Sequence, residues 1–190
     1  IFTTPERLES ELVEIIGFAV DVLKTFGFGD YEVYVSTKPE NAAGTDEGWI
    51  KAETALKSAL DKIDLKYEID AGAGVFYGPK IDIKIKDLLG RPWQCSTIQV
   101  DFNLPEKFGV NYVGEDGREH RAIMIHRAMM GSLERFFGVL IEHYAGAFPL
   151  WLAPVQAVVM PITDKQADYA KQVLKALLEN GMRAELDDRN

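Results

Sequence analysis

The stretch Ile81-Asp82-Ile83-Lys84-Ile85-Lys86, and beyond a short break Trp93-Gln94-Cys95-Ser96-Thr97-Ile98-Gln99-Val100-Asp101-Phe102, decides the fold. Both alternate with a period of two, which sends successive side chains to opposite faces of a strand. The first has one apolar and one charged face. In the second, Gln94, Ser96, Ile98, Val100 and Phe102 share a face; Trp93, Cys95, Thr97, Gln99 and Asp101 share the other. The centre of that other face is small and polar. It suits the floor of a cleft or, equally, a sheet face open to water. Two strands in succession with no helix between them predict antiparallel pairing.

Upstream, the spacing of Leu8, Leu12, Ile15, Ile16, Ala19 and Leu23 predicts a helix over 4–26. Thr4 can cap it, Pro5 suits its first position, Glu6 its positive first turn, and Gly27 and Gly29 end it. A strand is expected at Tyr31–Ser36. A second helix, Asp46–Lys62, follows with Ile50, Leu56, Ala59, Leu60 and Ile63 on one side. Then come a short strand at 66–69 and a glycine-rich turn at 71–78. Downstream, 122–126 reads as a strand. Residues 131–144 read as a helix with Leu133, Phe136, Phe137, Leu140 and Ile141 packed inward.

Two prolines within 148–154 suit a domain junction. Beyond it, a buried strand at 155–160, a helix at 164–180 capped by Thr163 or Asp164 and stopped by Gly181, and a strand at 183–186 form a βαβ unit with parallel strands. The expected class is α+β: an antiparallel-sheet domain over 1–149, then the start of an α/β domain over 150–190.

Composition narrows the function. Of 190 residues, 47% are hydrophobic and 27% charged, which excludes a disordered chain. The net charge of −9 argues against a non-specific nucleic-acid binder but leaves room for a local phosphate site. Arg118, Arg121, Arg127 and Arg135, against Glu119 and Glu134, concentrate positive charge in one stretch. That is either a pointer to an anionic ligand or a solvated face. The single cysteine, Cys95, excludes an internal disulfide and a multi-cysteine zinc site within the chain. No apolar run approaches the ~20 residues of a spanning helix. No charged-then-apolar leader is seen, so a soluble protein of a reducing compartment is expected.

The residues that could carry chemistry are few. A helix start near Gly131 and Ser132, fed by a strand bearing His126 and Arg127, would make an anion site with Arg135 one turn in. The turn at 71–78 brings Tyr77 and Lys80 close to whatever it covers. His126 is either a satisfied core histidine or a metal ligand.

Three blocks in order, Phe76-Tyr77-Gly78-Pro79-Lys80-Ile81, Gln94 to Phe102, and Ile125-His126-Arg127-Ala128-Met129-Met130-Gly131-Ser132-Leu133-Glu134-Arg135-Phe136, closely resemble the back half of the catalytic domain of the threonyl-tRNA synthetase family, class II aminoacyl-tRNA synthetases. Trp151-Leu152-Ala153-Pro154-Val155-Gln156 looks like that family's junction to its anticodon-binding domain. The Gly131–Arg135 pattern carries only the class; the Cys95 strand and the Ile-His-Arg block carry threonine.

The resemblance implies a fold: the class II antiparallel catalytic core, in part, followed by the opening of an anticodon-binding domain. It implies an activity: ATP-dependent formation of threonyl-adenylate and transfer to tRNA(Thr). Zn2+, ATP and Mg2+ are the implied cofactors. The implied partners are tRNA(Thr) and a second copy in a homodimer, with no membrane. The cytoplasm is the implied location, mitochondrial forms being left open.

Site roles follow by position. Arg135 matches the arginine that lies against ATP, where a planar cation both stacks and bonds phosphate. Gln94 and Thr97 match the ATP site, and Gln99 the threonine pocket. Ser132 matches a residue near threonine, or simply caps its helix. Tyr77 and Lys80 match the active-site floor and the tRNA end, a surface lysine being the alternative for Lys80. His126 matches one of three zinc ligands, the others expected upstream of Ile1. On a regular strand Gln94 would face away from Thr97 and Gln99, so a bulge or a strand end is required there. Cys95 is expected to be a wall residue. As a fragment the chain is expected to be inactive. Two alternatives stand beside this: another class II synthetase, prolyl or seryl, and a non-catalytic synthetase-like regulatory protein.

Overall fold

The computed structural model describes residues 1–189, in two units, Ile1–Leu140 and the chain from Ile141 on. The first unit is built on a six-stranded sheet. Its elements are β1 (Phe2–Thr3), α1 (Leu8–Thr25), β2 (Tyr31–Ser36), α2 (Asp46–Lys62), β3 (Glu68–Asp70), β4 (Lys80–Lys86), β5 (Pro92–Asp101), α3 (Asn103–Phe108), β6 (Asn111–Val113), β7 (Glu119–Arg121) and β8 (Ile123–Ala128). The sheet order is β1-β8-β5-β4-β2-β3, antiparallel except for the β2–β3 pair; β6 and β7 form a separate hairpin. The antiparallel expectation holds.

Alternation explains which face is core. Ile81, Ile83 and Ile85 of β4, Ile98 and Val100 of β5, and Ile125 of β8 are fully buried. Each contributes roughly 1.5–3 kcal/mol by leaving water. Helices α1 and α2 pack on each other and against the sheet, burying Leu12, Ile16, Leu23, Leu56 and Leu60. α2 is capped at its start: the Thr45 hydroxyl accepts from the Gly48 amide at 3.2 Å, and Asp46 and Glu47 occupy the first turn.

Several local expectations are corrected. α1 begins at Leu8, because the Arg7 amide bonds the Thr4 carbonyl in a tight turn ahead of the helix, and Thr4 caps nothing. On α2, Leu56, Ala59 and Leu60 face inward as expected and Trp49 and Ala52 join them, whereas Ile50 is exposed. On α4 (Leu133–Tyr144), Phe136, Val139 and Leu140 are buried while Leu133, Phe137 and Ile141 are exposed. Phe136 is clasped edge-on by Phe26 and Phe28, at 5.1 and 5.7 Å, which fixes a narrower inward stripe than the apolar residues alone suggest.

The second unit contains β9 (Ala157–Val159), a short 3-10 turn, α5 (Ala167–Glu179) and β10 (Ala184–Leu186). β9 and β10 pair in parallel, as the βαβ expectation requires. Thr163 and Gln166 form a capping box ahead of α5, and Gly181, at φ +77°, follows its end. The strand at 155–160 is shorter than expected and not buried. Val158 and Met160 are exposed, because within this unit one helix covers only one face of two strands. Among the described residues no helix is long and apolar enough to cross a membrane.

Candidate active site

Opposite the α1–α2 layer, strand register lines up polar side chains in rows. Ser36, Lys80, Gln99 and His126 are successive partners across β2, β4, β5 and β8; so are Tyr34, Asp82, Thr97 and Ala128. Facing residues in neighbouring strands point to the same side. The register between β4 and β5 then slips: Ile83 pairs with Ser96, but Lys84 pairs with Gln94. Cys95 is the surplus residue of a bulge. That one residue reverses the parity of the strand and turns Gln94 onto the face of Thr97 and Gln99.

A buried carboxylate organises this face. Asp82 Oδ1 accepts from Gln94 Nε2 at 2.5 Å and Thr97 Oγ1 at 2.9 Å. Its Oδ2 accepts from Ser36 Oγ at 3.2 Å and pairs with Lys80 Nζ at 2.6 Å. Lys80 is therefore not a free surface lysine; its side chain is 15% exposed and tied to Asp82. Alternation in the sequence places Asp82 on a charged face and gives no sign of its burial, which the flanking strands impose.

At the far end, Tyr77 Oη donates to Gln99 Oε1 at 2.7 Å, and the Tyr77 carbonyl accepts from Asn103 Nδ2 at 2.7 Å. The Tyr77 ring meets the His126 ring edge-on at 5.6 Å. Burial, helped by Asp101, raises the Tyr77 hydroxyl above its ordinary pKa, so it stays a donor. The His126 side chain is 33% exposed, and its Nε2 lies 2.9 Å from Oδ2 of the fully buried Asp101.

Arg135 and Ser132 stand apart from this group. The Arg135 guanidinium lies 5.6 Å over the Trp93 ring, and its Nη1 donates to the Gln94 carbonyl at 3.3 Å. Trp93 is itself held: its Nε1 donates to Asp87 Oδ2 at 2.9 Å. That bond, with the Arg91 and Leu89 donors, pulls the Asp87 carboxyl down to about 2. Trp93 and Asp87 thus form the setting of the Arg135 guanidinium, and no motif singles them out. Ser132 is exposed at the start of α4. Its hydroxyl donates to Glu134 Oε2 at 2.8 Å and accepts weakly from the Arg135 amide at 3.4 Å, a capping arrangement.

Cys95 is 1% exposed, and burial pushes its thiol up to about 11. At pH 8 its thiolate fraction would be on the order of 10²-fold below that of a free cysteine. Iodoacetamide should therefore leave Cys95 unmodified in the folded chain and label it in guanidinium, as intact mass will report. Rapid labelling without denaturant would contradict its place in the wall.

A cleft of about 320 Å³ opens over this floor, lined by Tyr77, Gln94, Thr97, Gln99, His126 and the strand end beyond it. Lys80, Ser132 and Arg135 do not line it. Behind Tyr77 and Gly78 lies a second, mostly apolar cavity of about 270 Å³ beside Trp49. Of the groups just described it holds only Tyr77 and Asn103. Among the described residues no cluster of three or more His, Cys, Asp and Glu could hold a metal. His126 nevertheless suits a single metal donor: one nitrogen is engaged by a buried carboxylate and the ring borders the cleft, the usual support of a ligating imidazole.

Comparison with known proteins agrees with this fold. Residues 1–144 match the class II tRNA synthetase core domain (G, H, P, S and T), and residues 156–190 match an anticodon-binding domain. Threonine–tRNA ligases of Magnetococcus marinus and Nitrosococcus oceani are each 58% identical over the whole chain, which spans only 29% and 30% of their lengths. Among solved structures, the RNA-binding domain of threonyl-tRNA synthetase from Cryptosporidium parvum superposes with a TM-score of 0.93 at 42% identity, covering 98% of this chain and 47% of that one. A putative threonyl-tRNA synthetase from Aeropyrum pernix gives a TM-score of 0.82 at 32% identity, covering 98% and 45%. With residues 1–144 matching that core domain and the chain superposing on solved threonyl-tRNA synthetase structures, the chain belongs to the class II tRNA synthetase core domain family.

Proposed function

We propose that the chain serves a threonine–tRNA ligase, which activates threonine with ATP to threonyl-adenylate and pyrophosphate and passes the threonyl group to the terminal ribose of tRNA(Thr). One observation carries it: His126 and Gln99, direct partners across β5 and β8, border the same cleft in a chain 58% identical to threonine–tRNA ligases. The activity belongs to the complete protein, since the chain spans about 30% of those relatives.

Within it, this chain's residues bind and orient. Gln99 and Tyr77, locked to each other, form the amino-acid end of the floor. Gln94 and Thr97, locked to Asp82, form the nucleotide end. Arg135, set 5.6 Å over the Trp93 ring, presents a planar cation for ATP. His126 would supply one zinc donor. When bound, zinc supplies open positions for the amine and hydroxyl of threonine, which would reject valine for want of a hydroxyl. Mg2+ accompanies ATP. Catalysis then rests on placement and on stabilising phosphate charge. The homodimer, the contact with tRNA and a cytoplasmic setting belong to the same proposal.

The test is threonine-dependent pyrophosphate exchange by the complete protein, together with its zinc content. Exchange with threonine and one zinc per chain are expected. Exchange with proline or serine and no zinc would replace this proposal with another class II enzyme, and no exchange with any amino acid would favour a non-catalytic relative. Arg135→Ala should lower kcat/KM for ATP roughly 10–100-fold, the worth of a charge-assisted contact, and leave zinc content unchanged.

A further inference from the structure

Asp101 is a carboxylate with no exposed surface, and every oxygen of it is engaged. Oδ1 accepts the amides of Asn103 at 2.8 Å and Leu104 at 3.0 Å, closing the start of α3. Oδ2 lies 2.9 Å from Nε2 of His126. An ionised carboxylate has no proton to give. Its neighbour must therefore donate, and Nε2 of His126 carries the hydrogen. In a neutral imidazole the other nitrogen then holds a lone pair. Nδ1 of His126 makes no hydrogen bond among the described residues.

We infer that Asp101 is a positioning residue: its buried carboxylate, anchored by two backbone amides, fixes His126 in the Nε2–H tautomer and so makes Nδ1 the nitrogen offered to a metal. This rests on the proposed zinc role of His126, and it assigns which ring atom serves and what holds it. The anchoring matters as much as the contact. A carboxylate pinned through Oδ1 cannot swing away, so the ring is held in plane as well as in protonation state.

The cleanest test is Asp101→Asn. The introduced amide keeps a carbonyl oxygen for the two backbone amides, so α3 retains its cap. It turns an NH2 toward His126, which must then accept at Nε2 and carry its hydrogen on Nδ1. Long-range proton–nitrogen correlation spectra of the chain, recorded at alkaline pH where imidazoles are neutral, report the tautomer directly and need no metal. The unsubstituted chain should show Nε2–H, and Asp101→Asn should show Nδ1–H. In the complete synthetase, zinc affinity measured by chelator competition should fall about 10–100-fold in Asp101→Asn, with the thermal unfolding midpoint little changed.

An Nδ1–H tautomer in the unsubstituted chain would overturn the inference, as would undiminished zinc affinity in Asp101→Asn. Absence of zinc from the unsubstituted synthetase would instead overturn the metal role of His126, and the assignment of Nδ1 to a metal would fall with it. Should Asp101→Asn unfold, the tautomer of the unsubstituted chain still decides.

Discussion

Replacing Gly78 with alanine should destabilise the sheet unit by about 3 kcal/mol or more, toward the upper end of what overpacking costs. A Cβ built on Gly78 would sit 2.0 Å from the Val100 carbonyl oxygen and 3.1 Å from its carbon. Both atoms are backbone in β5, and β5 is pinned between β4 and β8. Nothing there can rotate aside. The loop would have to lift instead, breaking the bond from the Val100 amide to the Pro79 carbonyl, 3.2 Å. It would also carry Tyr77 off Gln99. At about 2–4 °C per kcal/mol for a chain of this size, the midpoint followed by circular dichroism should fall by roughly 6–12 °C. Gly17→Ala is the matched control: its Cβ would meet nothing within 4 Å, and it lies inside α1. That change should raise stability by about 0.4–1 kcal/mol. A Gly78→Ala midpoint indistinguishable from the parent's would show that the loop does not rest on β5 as described.

Asp82→Ala is expected to cost about 3–5 kcal/mol, the range for removing one partner of a buried ion pair. The loss falls on four groups at once. Lys80 would keep a charge with 15% side-chain exposure and no counter-ion. Ser36, Gln94 and Thr97 would each lose an acceptor. Because the penalty comes mostly from the stranded lysine, a second change should recover much of it: Asp82→Leu with Lys80→Met replaces the pair by apolar groups of similar size. Urea unfolding of parent, single and double variants measures this. A double variant no better than Asp82→Ala would mean that the hydrogen bonds to Gln94 and Thr97, rather than the stranded charge, carry the energy. A single variant as stable as the parent would contradict the hub itself.

How much of this is legible in the sequence depends on what each residue answers to. β2 and α2 fall at the expected residues, because alternation and helical apolar spacing are local signals. The face of β5 bearing Thr97 and Gln99 does floor a cleft, and the parity conflict at Gln94 is resolved by a bulge, one of the two ways the strand pattern allows. What local pattern does not reveal is burial. Asp82 and Asp101 read as ordinary polar positions, and only their neighbours across the sheet and the cap on α3 bury them. β1 leaves no trace in the sequence because two residues carry no period; it is held by pairing with β8, where the Ile125 amide donates to the Ile1 carbonyl at 2.8 Å. The β6–β7 hairpin has a usable sign in Asp116-Gly117, a turn pair whose Asp116 carboxylate accepts the Arg118 amide at 3.0 Å. For α3 the sign is Asp101 itself, an acceptor two and three residues ahead of the amides it closes.

The surplus residue at Cys95 gives one strand two phases. Upstream of it, Trp93 and Gln94 keep one count of up and down; downstream, Thr97 and Gln99 keep another. Gln94 and Thr97 thus meet at Asp82 from opposite sides of the surplus residue, three positions apart yet on one face. Losing the surplus residue itself would leave Gln94 two positions from Thr97 and still on its side of the sheet, whereas losing a residue between Thr97 and Gln99 would send an entire run of side chains to the wrong side.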